Sequence, residues 1–325
     1  MDLQVSNSNS QILIDAAHQL DIQVELIDSA TTKLRLTKKG KQHILTSKSL
    51  GINPTSAINL SHDKHQVSSL LKSLDVSIPQ EILITHFHQL SSTHLPPYPL
   101  VAKPTTGQKG HHVYVGIKDY TTLTTTLSDI LNTYPSALVQ HQIVGSDLRF
   151  LLLNHQILGL VRRHPPQLIA DGTHTIKQLI LLHNQQLVTQ REKTHQRLQN
   201  RIHNWKRTTW HITNQGLSLD TILPKNTKLS PYPIANFQAG GTVETLNVDQ
   251  IHPQIIDQIQ HISRSVGLTI CGIDMIIIDV NLPPKNNAFF IEINSDPSLR
   301  LHHLPNSGQP QQVAPQILKR IFTLH

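Results

Sequence analysis

A single cysteine in 325 residues, Cys271, excludes an internal disulfide framework. It stands beside an apolar run, where a buried, inert thiol is expected. Aromatic residues make up only 4% of the chain, too few to build stacking platforms for single-stranded nucleic acid. No stretch approaches 18 consecutive apolar residues, so a membrane-spanning helix is not expected. The opening MDLQVSNSNSQ has no charged segment followed by an apolar one; no secretory leader is expected, and the protein reads as cytoplasmic. Despite 22 histidines there is no HExxH or Cys/His metal spacing, and no GxxxxGK[ST] phosphate loop or internal repeat. Acidic residues are scarce too: 21 Asp and Glu against 28 Lys and Arg leave a formal charge of +7, which suits anionic ligands such as nucleotides. Outside Arg191 to Arg207 the positive residues are scattered, and with so few aromatics this argues against nucleic acid as the partner.

The strongest signal lies between Cys271 and His303. Two apolar, β-branched runs, Ile273 to Val280 and Ala288 to Ile293, flank a turn-rich segment containing Pro283-Pro284, which predicts a β-hairpin. Asp274 opens the first run. Strand alternation puts Glu292 and Asn294 on one face of the second. Three hard oxygen donors would therefore converge at one end of the hairpin, a set that suits Mg²⁺ completed by substrate phosphates. A solvated hairpin is the plain alternative, but Glu292 inside FFIEIN would cost several kcal/mol to bury unless paired or coordinating a metal.

Elsewhere helices and strands alternate in an α+β (α/β) manner. A helix carrying Ile12, Ala16 and Leu20 precedes a strand at Gln23 to Ile27 and a hairpin around Lys39-Gly40. A second helix is predicted from about Ser61 to Leu74, capped by Ser61. Leu100 to Lys103, a loop containing Gly107, Lys109 and Gly110, and Val113 to Ile117 form a hairpin able to fold over phosphates through free backbone N–H groups. Pro253 to Val266 is an amphipathic helix with Ile255, Ile259 and Ile262 on one side.

In order, the stretches Asp63-Lys64, LVAKP with TTGQKG, ALVQHQIVGSDLRFLLLN, VRRHPPQLIADGTHTIKQLI, IANFQAGGT and CGIDMIIID…FFIEINSDPSLRLHHLPNSGQP span nearly the whole chain. Together they resemble the ATP-grasp ligases, in particular the ATP-grasp region of cyanophycin synthetase and of bifunctional glutathione synthetase. The resemblance implies an ATP-grasp fold, two α+β subdomains sandwiching ATP. Residues 1–60 would be an N-terminal lead-in, 61–145 the lid-bearing small subdomain and 146–325 the catalytic subdomain. It implies ATP and Mg²⁺, two ions, as cofactors. Lys64 and Lys103 would contact phosphates, with Gly107 and Gly110 in the lid. Gln140, His141 and Ile143 would line the adenine through backbone groups, and Asp147 would hold the ribose. Asp274, Glu292 and Asn294 match the metal ligands, while Arg149, Arg163 and Arg300 match positions that hold the acyl phosphate or substrate carboxylates.

The activity implied is ADP-forming ligation of a carboxylate to an amine through an acyl phosphate. The substrates would be amino acids or short peptides, as in cyanophycin synthetase. Glutathione synthetase-like addition to a γ-glutamyl dipeptide and an ATP-binding accessory role without turnover are the alternatives. Three positions depart from the family pattern: Gln140 replaces a glutamate, His112 a lid glycine, and Ser298 a glycine after the metal asparagine. The other domains of those relatives have no counterpart in this stretch, so a second copy or a partner protein is expected to supply their substrate-selecting surfaces.

Overall fold

The computed structural model describes residues 3–5, 7–107, 111–194, 201–235 and 237–323. Helix α1 (Ser8–Gln19) starts at Asn7, whose side chain accepts the Ser10 N–H. Its Leu13, Ile14, Ala16 and Ala17 form one buried stripe. Strands β1 (Gln23–Asp28), β2 (Lys33–Lys38) and β3 (Lys41–Leu45) follow as an antiparallel sheet. Lys39 and Gly40 turn β2 into β3 with positive φ at both residues, as a two-residue hairpin loop requires.

The helix expected from Ser61 to Leu74 is two helices, α2 (Thr55–His62) and α3 (Lys64–Ser73). Asp63 divides them because its carboxylate accepts the N–H groups of His65 and Gln66, a stronger cap than a serine already inside a helix. The Ser61 hydroxyl instead donates back to the Ile58 carbonyl. Lys64 thereby becomes the first residue of α3 rather than part of a helix interior.

A four-stranded antiparallel sheet comes next, built from β4 (Glu81–Ile84), β5 (Leu100–Pro104), β6 (Tyr114–Ile117) and, after α4 (Tyr120–Leu131), β7 (Ala137–His141). The strand order is β4-β7-β5-β6. Period-two alternation divides its faces. Ile84, Leu100, Ala102, Ala137 and Val139 pack on Leu123, Leu127 and Ile130 of α4. The opposite face carries Glu81, Val101, Lys103, Leu138 and Gln140, which sit directly opposite or two residues apart in the strand register.

Strands β8 (Ser146–Leu153) and β9 (Gln156–His164) open the larger sheet, turning at Asn154-His155. An excursion follows through β10 (Leu168–Ile169), α5 (Ile176–Thr194), α6 (Trp205–Asn214) and β11 (Lys228–Leu229), with a small core of its own around Ile176, Ile180, Ile202 and Ile212. The chain returns as β12 (Thr242–Thr245), α7 (Pro253–Val266), and the hairpin β13 (Ile270–Ile277) and β14 (Ala288–Asn294). Short α8 (Arg300–His303) and α9 (Val313–Phe322) complete it. The five-stranded order is β12-β9-β8-β13-β14.

Helix α7 covers one face of this sheet. Ile255, Ile259, Ile262 and Val266, spaced by four, three and four, bury against Phe150, Ile273, Met275 and Phe290. The other face changes character along the strands. At one end Leu151 and Ile270 join Leu13, Ile14, Ile317 and Leu318, so that α1 and α9 share a core with the sheet. At the other end it carries Asp147, Arg149, Arg163 and Asp274. Among the described residues no helix is long and apolar enough to cross a membrane.

Candidate active site

The charged end of the large sheet is a connected ion-pair network. Arg149 on β8 and Asp274 on β13 are direct cross-strand partners. The guanidinium grips the carboxylate with two N–H groups, from Nε to Oδ1 and from Nη2 to Oδ2, the latter at 2.6 Å. Arg163 on β9 links two carboxylates, with Nη2 at 2.6 Å from Asp147 and 3.0 Å from Asp274. Arg149 Nη2 also lies 3.9 Å from Glu292, and the Asn294 amide donates to Glu292 at 3.2 Å. Six of the expected site residues, from four strands, are thus neighbours.

Burial raises the Asp274 carboxyl, but Arg149 and Arg163 outweigh it and hold the group below the usual carboxylate range. Asp147 moves the other way, raised by burial and by the nearby Asp274 carboxylate in spite of Arg163. Two acids sharing one guanidinium do not ionise equally well. Asp147, expected on a ribose, is here the partner of Arg163.

The sequence pattern put Asp274 at a strand start and Glu292 in the buried position. The structure reverses this. Asp274 lies mid-strand with 2% of its side chain exposed, whereas Glu292 keeps 33%. The cause is a β-bulge: Asp274 pairs with Glu292 while Met275 pairs with Phe290, which leaves Ile291 as an extra residue. That insertion switches the alternation, so Phe290 and Ile293 both point to the core while Glu292 and Asn294 share the opposite face. Their common face was legible in the sequence; which face it would be was not.

The bulge also receives the small sheet. Lys103, buried on β5, reaches across so that its Nζ lies 3.5 Å from the Ile291 carbonyl. Burial, aided by the Lys64 charge, lowers this ammonium to about 8 against the attraction of Glu292. Lys64 ties down the start of the loop after β5, its backbone N–H donating to the Thr105 carbonyl at 3.1 Å and its Nζ to the Gly107 carbonyl at 3.0 Å. Gly107 has φ of 127°, open only to glycine in practice. Gly110, with Lys109, lies outside the described residues. His112 adopts a left-handed φ of 51° where the resemblance leads one to expect glycine, with its ring edge-on to Tyr134 and Nε2 3.6 Å from Asp129.

At the junction of the sheets, His141 gives its backbone N–H to the Gln80 carbonyl and its ring Nδ1 lies 2.8 Å from the Pro97 carbonyl. Ile143 lies in the segment that carries β7 into β8. Gln140 is buried, and its side-chain amide donates to Glu81 on β4, its register partner. Sequence reading passed over Glu81, because an acid heading the EILI strand looks like a solvated strand end. Its partner is visible only once the register is known. Arg300 opens α8, buried, its guanidinium 4.3 Å above the Phe237 ring and its backbone N–H 3.3 Å from Asn9 Oδ1.

The two sheets meet where the buried Lys103 reaches the Ile291 carbonyl, and the lysine, carboxylate and guanidinium groups gathered on the two faces suit a phosphorylated anion. No family model matches the chain. Sequence comparison does find relatives. Cyanophycin synthetase of Synechocystis sp. is 28% identical over 270 residues, 82% of this chain and 31% of that protein. The glutathione biosynthesis bifunctional protein of Mannheimia succiniciproducens is 24% identical over 331 residues, 97% of this chain and 42% of that protein. The bifunctional glutathione synthetase structure from Pasteurella multocida matches 97% of this chain and 44% of its own with a TM-score of 0.63 at 19% identity. These similarities in sequence and fold are to ATP-grasp ligases. The chain spans less than half the length of the relatives named. β5 and β6 flank the loop expected to act as the lid, and β13 and β14 carry the expected metal ligands.

Proposed function

We propose that the chain is a Mg·ATP-dependent carboxylate–amine ligase that forms an amide through an acyl phosphate, with amino acids or short peptides as substrates. The observation that carries this reading is the meeting of Lys103 from the small sheet with the Glu292 and Asn294 face of the large one at the β14 bulge. The donor set fits Mg²⁺. Glu292 is partly exposed, Asn294 uses its NH₂ on Glu292 and so keeps its carbonyl oxygen as a ligand, and Asp274 Oδ1, which takes one guanidinium bond where Oδ2 takes two, retains a further lone pair. Bound there, the ion would screen phosphate charge and polarise the transferring group.

The chain's own residues then have separable tasks. Lys103 neutralises phosphate oxygens, and its site across the cleft is dry enough to make that charge count. Lys64 and Gly107 hold the base of the lid over the phosphates. Arg149 and Arg163 keep Asp274 ionised and in place, and their remaining N–H groups can take an acyl phosphate or a substrate carboxylate. Arg300 is assigned to the substrate side. Gln140 and the hinge through Ile143 face the base. Cyanophycin-like addition of an amino acid is the leading substrate reading, and glutathione-like addition is second.

The test is ADP release from purified protein with Mg·ATP across a panel of amino acids and dipeptides, with amide products identified by mass. Release that depends on one acceptor and falls at least tenfold in Glu292→Ala is expected. Identical rates in the wild type and Glu292→Ala would remove the proposal.

A further inference from the structure

The face of the small sheet from which Lys103 reaches the large sheet also carries Glu81 and Gln140 among the apolar Leu83, Val101 and Leu138. The Glu81 side chain is only 2% exposed, and its two oxygens are both engaged, Oε1 at 3.3 Å from Lys72 Nζ and Oε2 accepting from the Gln140 amide. This arrangement fixes something that an isolated glutamine leaves open. A carboxylate can only accept, so the Gln140 end that meets it must be the NH₂. The amide's carbonyl oxygen is thereby turned away from Glu81, and no described residue donates to it.

We infer that Glu81 is a positioning residue for base selection: by holding the Gln140 amide in one orientation, it presents an acceptor to the cleft, which favours purine nucleotides bearing a 6-amino group over 6-oxo ones. The inference rests on the nucleotide reading above and deepens it. A 6-amino purine donates to the Gln140 carbonyl oxygen. A 6-oxo purine sets oxygen against oxygen and leaves both without a proton. An unmatched acceptor pair in a buried site corresponds to a discrimination of roughly tenfold or more. Glu81 lies on the edge strand β4, where Lys72 holds its second oxygen. Glu81 therefore acts through Gln140.

Nucleotide binding is measured by calorimetry with ATP and ITP, which differ in the C6 substituent and in the proton that the 6-oxo base carries on N1, in three proteins: the wild type, Glu81→Gln and the exchanged pair Glu81→Gln with Gln140→Glu. The wild type should prefer ATP. In Glu81→Gln the residue at 81 can donate as well as accept, so the Gln140 amide is free to turn. The ratio of ATP to ITP affinity should then fall towards one, ITP binding tightening while ATP binding weakens. In the exchanged pair the hydrogen bond survives with reversed polarity and an acceptor faces the cleft again, so the preference for ATP should return. A merely structural role for Glu81 weakens both nucleotides alike and leaves the ratio unchanged; that result overturns the inference while the nucleotide site stands. Failure of the wild type to bind either nucleotide overturns the nucleotide reading itself. Thermal unfolding of each variant separates loss of fold from loss of selection, and the exchanged pair keeps the inference falsifiable if Glu81→Gln alone does not fold.

Discussion

Lys103 is held in a place unfavourable to it. Its ammonium is buried beside a carbonyl at the limit of hydrogen-bonding distance, with Lys64 adding repulsion and Glu292, Glu81 and Asp274 offsetting only part of the desolvation. Lys103→Met keeps the volume and removes the charge. The expected outcome is stability within about 1 kcal/mol of the wild type, or higher, by chemical denaturation, together with at least a tenfold loss of nucleotide-dependent turnover. His302 shows a second kind of buried charge problem. It is 1% exposed, with Gln311 Oε1 3.0 Å from Nδ1, and burial lowers the imidazole to about 4. The folded protein therefore binds fewer protons than the unfolded chain between the ordinary histidine value and about 4. Stability is full above that window and is lost as pH falls through it, by about 3 kcal/mol from this group at the limit. Denaturation midpoints between pH 7 and pH 4 should show a shallower decline in His302→Asn than in the wild type.

At the level of elements, the cap at Asp63 decides where Lys64 stands. Asp63→Ala removes the acceptor for two N–H groups at the start of α3 and should cost about 1 kcal/mol. Because Lys64 is tied to Thr105 and Gly107, loosening this turn should also weaken nucleotide binding, read by titration calorimetry, more than an equally destabilising change on the far side of α3. The same region marks how far the sequence could be read. Helix α7 spans the residues its apolar spacing predicts, since Pro253 and Gly267 punctuate both ends and period 3.6 leaves no competing reading. The α2–α3 break was hidden because apolar periodicity runs on past Asp63, and only side-chain capping interrupts it. The Ile291 bulge was hidden for a different reason: an extra residue in one strand is defined by its partner, and the register between β13 and β14 is a property of the pair.

Over the whole molecule, lysines and acids in otherwise apolar strands marked the two sheet faces that meet at Lys103 and Ile291, because such groups are costly to bury without partners. Their mutual arrangement was not legible in the same way. That Asp147 would bind Arg163, that Asp274 would take two guanidinium groups, and that Glu81 would meet Gln140 all depend on strand order β12-β9-β8-β13-β14 and β4-β7-β5-β6. These contacts link residues from 16 to 125 positions apart and across different strands, beyond any local pattern.

The shared core of α1 and α9 has a consequence for synthesis. Asn53 bonds Ile270 through both its amide groups and also reaches the Ser295 carbonyl, while Leu13 and Ile14 pack with Ile317 and Leu318. On the ribosome the first helix and its three strands emerge long before these partners exist, so they must wait with their apolar faces uncovered. Stalled nascent chains ending before Val313 should leave the segment from Ser8 to Leu50 open to protease, and chains released after Phe322 should close it. Protection that appears already in the shorter chains would show that this N-terminal unit folds alone. The segment that reads as a lead-in is, on this view, among the last parts of the chain to reach its final structure.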